Sequence, residues 1–294
     1  MRVWGSWLVS RTSGETEAIH WDRRAVPVDR DTLLDLATFY EMDTALCQAR
    51  LDQYRMSELA DEWRRVSPKT SREIRRFYED TELYIWELCK WHADETYSSY
   101  RKRVAQAIQL FPPSSHPRVL DFGSGISTAS LEFAKAGYQI TLADVPGKTL
   151  AFAQHRFRRR GLSCSVIEVT EDIPRFPDGF DVVISFDVFE HVPDAERVMK
   201  RLVGSLRVGG VALIVASFVD HGDHPQHLAS NIARFGRFAW EWALVGAGLR
   251  FHASGSGLLT KASAGYAVPR RIRWLLHSRF PSFPWKLLYR GIDA

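Results

Sequence analysis

Cysteine is scarce: Cys47, Cys89 and Cys164 are the only three in 294 residues. Being odd in number and widely scattered, they exclude a disulfide framework and a cysteine-built metal site, and they fit a reducing, cytoplasmic compartment. Long apolar runs are lacking as well. No stretch approaches the roughly 20 residues that a membrane-spanning helix needs, and the apolar part of MRVWGSWLVSRTSGE is too short for a signal peptide. Internal repeats and low-complexity tracts are absent. Nor is one sign of charge in large excess: 39 Lys and Arg against 35 Asp and Glu leave a net charge of +4. That balance permits an anionic substrate but argues against nucleic acid as a partner. What remains, 45% hydrophobic and 25% charged, is the composition of an ordinary globular chain.

The chain is organised around residues 118–145, which read RVLDFGSGIS, TASLEFAKAGYQI and TLADV. The apolar run of Val119 and Leu120 stops at Asp121. Phe122, Gly123, Ser124 and Gly125 form a tight turn, and residues 127–136 read as a helix ended by Gly137. A second β-like run, 138–143, stops at Asp144. Strand, glycine turn, helix, strand and acid make the nucleotide-cradling half of a doubly wound α/β sheet. The glycines let the backbone approach a ligand closely, and the helix start supplies free N–H groups. Asp144, beside Val145, stands where a carboxylate accepts from both hydroxyls of a ribose. A dinucleotide-binding fold shows the same spacing, so this half by itself leaves the ligand open.

Further on, FDVVISFDVFEHV is an apolar strand breaking into Asp187, Glu190 and His191, and LRVGGVALIV is a turn feeding another buried strand. Together DFGSG, LADV, FDVVISFDVFEHVPD and LRVGGVALIVAS resemble the class I S-adenosylmethionine-dependent methyltransferases, over residues 115–269. The resemblance implies an α/β, Rossmann-like, seven-stranded doubly wound sheet with an N-terminal helical cap. It implies S-adenosylmethionine as cofactor, held by Asp121, Gly123, Ser124, Gly125, Asp144, Val145 and Asp187. The acid that often holds the adenine amino group in this family would fall on Val169, so Glu171, Asp172 or a backbone group is expected to take that place. Val208 stands where the family commonly has proline.

The remaining chain divides around this core. Residues 1–113 are expected to form an N-terminal segment and helical cap that shapes the substrate pocket, 114–269 the cofactor-binding domain, and 270–294 a basic, aromatic tail. Trp4, Trp7 and Trp21 are too apolar to be left exposed and should lie against the body or a partner. A helical pattern starts at Asp29 and runs to Val66. Thr70 and Glu73 form a capping box for a helix whose apolar stripe runs from Ile74 through Tyr78 to His92, and a third helix spans 95–111. His92 is either a half-buried packing residue or a lid residue facing the ligand. The run Arg156-Phe-Arg-Arg-Arg160 reads as a solvated helix end. An aromatic helix over 235–248 and strands near 250–256 and 262–268 should complete the sheet. The tail is expected to dock on the cap, its alternatives being a membrane surface or nucleic acid.

Directly after the fifth strand comes Asp220-His-Gly-Asp-His-Pro-Gln-His227. One reading is a mononuclear iron or zinc site built from Asp220, His221, His224 and His227. The other is a polar loop lining the substrate pocket. Methyl transfer to a small-molecule acceptor, through oxygen, nitrogen or carbon and of the kind found in secondary metabolism, needs a base for hydroxyl or ammonium acceptors. His191 and His221 suit that role because imidazole titrates near neutrality, and Glu190 would orient His191 or contact the cofactor's amino end. An NAD-type oxidoreductase is the rival enzyme, disfavoured by Asp121 and the FEHVPD segment. A non-catalytic cofactor-binding scaffold is the third reading, and a homo-oligomer stays open.

Overall fold

A computed structural model describes residues 27–112, 117–219, 224–235, 239–252 and 258–262. The N-terminal third is helical: α1 (Arg30–Tyr40), α2 (Thr44–Gln53), α3 (Met56–Val66), α4 (Ser71–Asp80), α5 (Leu83–Ala93) and α6 (Ser98–Leu110). Side-chain caps set where several of these begin. Asp29 accepts from the Thr32 N–H, Asp43 from the Ala45 N–H, and Thr70 with Glu73 makes the capping box expected from the sequence. The stripe from Ile74 to His92 does not lie on one helix. Thr81 breaks it, because its hydroxyl donates to Glu62 (2.6 Å) and accepts from the Leu83 N–H (3.3 Å). A threonine hydroxyl offers the backbone local partners that compete with the helical ladder.

The sheet comprises β1 (Arg118–Phe122), β2 (Gln139–Asp144), β3 (Ser165–Glu168), β4 (Phe180–Phe186), β5 (Leu206–Val215), β6 (Leu249–Phe251) and β7 (Leu259–Lys261). Their order is β3-β2-β1-β4-β5-β7-β6, with β1 to β5 parallel and β7 antiparallel to both β5 and β6. Strand order therefore reverses between β1 and β4, the place where open α/β sheets form their ligand crevice. Helices α7 (Thr128–Lys135), α8 (Lys148–Arg159), α9 (Ala195–Ser205), α10 (Ala229–Phe235) and α11 (Ala239–Gly246) cover the sheet. Both faces of the central strands are buried, which is why Val182 to Ile184 and Val211 to Ile214 are continuous apolar runs rather than alternating ones. Phe180, Phe189, Met199 and Trp240 pack on one face, while Ile140, Leu142, Phe133 and Ile184 pack on the other.

Some boundaries differ from the sequence reading. The last strand is Leu259–Lys261 rather than 262–268, most of which lies outside the described residues. The stretch 206–210 is not a free turn. It belongs to β5, whose pairing with β4 shifts register between Phe180 and Val182. Gly210 is needed there, since a Cβ would come within 2.9 Å of the Asp181 carbonyl. The Trp-rich segment 1–26 and the tail 270–294 lie outside the described residues. Among the described residues, no helix is long and apolar enough to cross a membrane.

The basic end of α8 also differs from expectation. Arg156, Arg159 and Arg160 converge on Asp35 of α1, which is completely buried. Arg156 Nε donates at 2.9 Å and Arg160 Nη1 at 2.7 Å. Burial works against the charged carboxyl, but the hydrogen bonds and charges of Arg160, Arg156 and Arg159 outweigh it and hold its pKa below the usual range. Arg156 continues to the Ile126 carbonyl and, at 3.0 Å, to Thr128 Oγ1. Apolar packing of Leu36, Ile85 and Leu88 with Ile126 and Phe152 surrounds this anchor. Asp35→Asn would leave three guanidinium groups facing a neutral partner, and should destabilise the fold by about 3–5 kcal/mol. Thermal or urea unfolding checks this, and an unchanged midpoint would contradict it.

Candidate cofactor and acceptor site

The turn after β1 owes its shape to its glycines. Gly123 and Gly125 sit at φ +67° and +49°, and Cβ atoms there would come within 2.3 Å of Val188 and 2.8 Å of Leu88. Ser127, also left-handed at φ +58°, precedes α7. At the end of β1, Asp121 is buried and accepts from Ser130 Oγ at 2.6 Å. Burial lifts its carboxyl to about 7, with the charge of Asp144 adding and the Ser130 hydrogen bond opposing. At the end of β2, Asp144 accepts from the Gly125 N–H (2.7 Å) and the Val145 N–H (2.8 Å). Burial still raises its carboxyl to about 6. The second acid of the motif thus braces the glycine turn as well as facing the crevice.

The end of β4 supplies the other wall. Asp187 is left-handed, at φ +51°, and accepts from the Tyr100 hydroxyl at 2.7 Å. Glu190 is 1% exposed; its Oε1 accepts from the Ser217 N–H at 2.9 Å, while Oε2 is buried without a hydrogen-bond partner. Burial, helped by the charge of Asp187, pushes its carboxyl well above the ordinary range. His191 Nδ1 lies 3.1 Å from both the Gln226 carbonyl and the Tyr78 hydroxyl. A carbonyl only accepts, so the proton belongs on Nδ1 and Nε2 keeps its lone pair. Burial first, then the charges of His227 and His224, drive the His191 pKa well below 6.5, leaving the ring neutral.

The histidine loop is only partly described. Asp220 and His221, two members of the expected metal set, lie outside the described residues. Its other two members do not converge on each other: His224 and His227 stack face to face, 5.2 Å apart at 10°. His227 turns instead toward His191, with ring centroids at 4.9 Å, and its Nδ1 donates to the Val219 carbonyl at 3.1 Å. Among the described residues, the donor atoms that come together, within 4.8 Å of one another, belong to Glu190, His191 and His227.

All described residues singled out from the sequence for cofactor or catalysis line one cavity of about 570 Å³, as do His224 and His227. Glu171 and Asp172 stand at it too, and Asp172 pairs with Arg75 of α4 at 2.7 Å. His92 satisfies parts of both expectations. It is held by Thr128 Oγ1 at 2.9 Å, stacks on Tyr97 at 4.0 Å, and also lines the cavity. Sequence alone gives no residue-level sign of what the cap contributes: Tyr78, Tyr84, Glu87 and Trp91 all line the same space. The one available signal was the stripe through Ile74 and Tyr78, which marks a buried face but not what it is buried against.

Residues 120–214 match the family described as a methyltransferase domain. With the strand order and glycine turn above, that segment is similar to the class I S-adenosylmethionine-dependent methyltransferases. It is 32% identical over 119 residues to the ubiquinone biosynthesis O-methyltransferase of Rhizobium leguminosarum, covering 39% of this chain and 47% of that one. An uncharacterised protein of Synechococcus is 30% identical over 134 residues, 44% of this chain and 30% of the relative. The chain thus spans less than half the length of these curated relatives. A solved S-adenosylmethionine-dependent methyltransferase of Clostridium acetobutylicum aligns at 18% identity and TM-score 0.36, over 41% of this chain and 50% of that one. Gly123→Ala should force Val188 aside and strain the turn, at a cost of about 1–3 kcal/mol. Thermal unfolding measures it, and a wild-type midpoint would contradict the packing described.

Proposed function

We propose that this protein transfers the methyl group of S-adenosylmethionine to a small-molecule acceptor held between the helical cap and the sheet. The observation that carries the reading is Asp144. It is a part-buried carboxylate at the end of β2, fastened to the glycine turn by the Gly125 N–H and held by the Val145 N–H as well. Asp144 would accept from the ribose hydroxyls, the turn of Gly123, Ser124 and Gly125 would cradle the amino-acid part with Asp121 and Asp187, and Val145, Glu171 and Asp172 would border the adenine. The residues fit such a group, because the glycine turn, the carboxylate that braces it and the strand-end acids all line one cavity. S-adenosylmethionine supplies a methyl already activated on its sulfonium, which leaves the chain to align, exclude water and remove a proton. His191 is the base: neutral, tautomerically fixed at Nδ1, with Nε2 free to take the acceptor's proton. Glu190 borders His191 from the same loop. The printed names of the relatives favour an oxygen acceptor.

Calorimetric titration with S-adenosylmethionine, with NADH as control, tests this. Burial places the Asp144 carboxyl at about 6 and that of neighbouring Asp121 at about 7. Below those values each gains a proton and ceases to be a full acceptor, so affinity should fall as pH drops from 7.5 to 5. Asp144→Asn should weaken binding at pH 7.5 about tenfold or more, as losing a charged hydrogen bond of about 1.5–3 kcal/mol implies. His191→Asn should spare binding and cut turnover by about 10²–10⁴. Binding of NADH alone, or affinity that rises toward pH 5, would sink the reading.

A second reading concerns a divalent cation at Glu190, His191 and His227. Both histidines give Nδ1 to a backbone carbonyl, the arrangement that turns Nε2 toward a metal. One carboxylate and two imidazoles suit zinc or ferrous iron. Metal analysis of the purified protein should then find one equivalent that His227→Ala removes. Less than a tenth of an equivalent in wild type after reconstitution would exclude it.

A further inference from the structure

Thr149, Glu190 and Gln226 line the cavity, and each buries a side-chain oxygen without a hydrogen-bond partner. A buried polar atom left unpaired is costly, so such an atom in a cavity wall marks a place where a ligand can supply the partner. Thr149 lies at the start of α8, just past Asp144, on the cofactor side. Glu190 belongs to the candidate cation site. Gln226 has neither task. It is 2% exposed, its Oε1 is unpartnered, and its Nε2 lies 3.4 Å from His224 Nδ1. The backbone around it is pinned to the β4 side. Its carbonyl takes His191 Nδ1 at 3.1 Å, and the Leu228 N–H donates to the Glu190 carbonyl at 2.9 Å. Asn231 Nδ2 donates to the carbonyls of Phe189 (3.0 Å) and Val192 (2.8 Å). The Gln226 backbone thus fixes the imidazole, while its side chain keeps an unused oxygen in the cavity wall.

The groups that an acceptor can bring meet this oxygen differently. A hydroxyl donates to it. An ether or ketone oxygen sets lone pair against lone pair and leaves both unpaired. A carboxylate does the same and finds no free cation in its place. Among the described residues of the wall Arg75 is the only lysine or arginine, and it is paired with Asp172 at 2.7 Å and Glu79 at 3.9 Å. Next to this site the wall is aromatic. Tyr78 meets both Tyr84 and the His191 ring edge to face, at 5.5 and 6.0 Å, and Trp91 lines the same space. Rings so placed favour a flat aromatic guest, through offset stacking or edge contacts, over a puckered aliphatic one.

We propose that Gln226 is the residue by which this cavity selects its acceptor: Oε1 accepts from a free hydroxyl on an aromatic compound seated against Tyr78, Tyr84 and Trp91. This deepens the proposed function, and rests on it only in taking the cavity as the acceptor site.

The test is binding by the full chain, chelator-treated so that no metal at Glu190, His191 and His227 captures the hydroxyl, with and without saturating S-adenosylhomocysteine. Four ligands of similar size are compared by calorimetry: 4-ethylphenol, 4-ethylanisole, 4-ethylbenzoate and 4-ethylcyclohexanol. The phenol should bind about fivefold tighter than the anisole, the effect of one neutral hydrogen bond, with the benzoate weakest. The cyclohexanol, which has the hydroxyl without the ring, should bind more weakly than the phenol. Gln226→Met, which keeps the length and removes the amide, should erase the phenol's advantage over the anisole. S-adenosylhomocysteine affinity should stay unchanged and the unfolding midpoint should not fall, because the lost oxygen had no partner. A glutamine with a structural role alone would lower that midpoint and leave the ligand preference intact. Should Gln226→Met fail to fold, Gln226→Asn, which withdraws the amide by one carbon, should lose the advantage too. Equal affinities for phenol and anisole, an advantage that persists in the folded variant, tighter binding of the benzoate or the cyclohexanol, or no binding by any of the four would overturn the proposal. Failure of S-adenosylhomocysteine to bind would instead defeat the cofactor assignment, with hydroxyl selectivity still readable on the chain alone.

Discussion

One buried carboxylate settles where the cap sits. Asp35 belongs to the first helix of the cap, yet its partners Arg156, Arg159 and Arg160 follow it by 121 to 125 positions. Taking such a group out of water is expensive, so the cluster is better understood as fixing one arrangement than as adding stability. Its geometry carries that meaning further. Arg156 also holds the Ile126 carbonyl and Thr128 Oγ1, at the start of the helix that follows the glycine turn, and His92 of the cap takes the same hydroxyl. Cap position and turn position are therefore one constraint.

The cap closes the crevice as a result, and closure makes the electrostatics. Asp121, Asp144 and Glu190 would be ordinary carboxylates at an open strand end. Beneath Tyr78, Tyr84 and Trp91 they lose water, and all three are pushed upward in pKa. His191 is moved the other way by the same burial. Acids pushed up and an imidazole pushed down by the same enclosure are the perturbed groups that gather at functional sites.

The division of labour follows the chain. The family match covers residues 120–214, which hold the glycine turn, both strand-end acids, Glu190 and His191. Helices α1 to α6, with Tyr78 and Glu87, lie outside it. The matched segment thus carries the residues proposed for the cofactor, whereas the cap residues that line the same cavity lie outside it. Sequence similarity in this chain says more about the reaction than about its substrate.

Local signals carried the sequence reading a long way. Gly123 and Gly125 are legible because a left-handed turn in close contact leaves no other residue free of strain. The acids at strand ends are legible because an apolar run stops where the chain meets solvent or ligand. Thr70 and Glu73 announce their helix through a bond spanning three residues. Other features had no local trace. The Thr81 break depends on Glu62, the Tyr78 bond to His191 joins positions 113 apart, and the basic end of α8 closes on Asp35, 121 positions before Arg156. His224 and His227 share a loop with the right spacing for a metal, yet their rings stack, and His227 meets His191 instead. By itself the sequence determined the parallel strands β1 to β4, the glycine turn and the acids at the strand ends, since each follows from periodicity or backbone conformation within a few residues. Only the tertiary structure decided which cap residues face them and with what charge, because that depends on packing between segments a hundred residues apart.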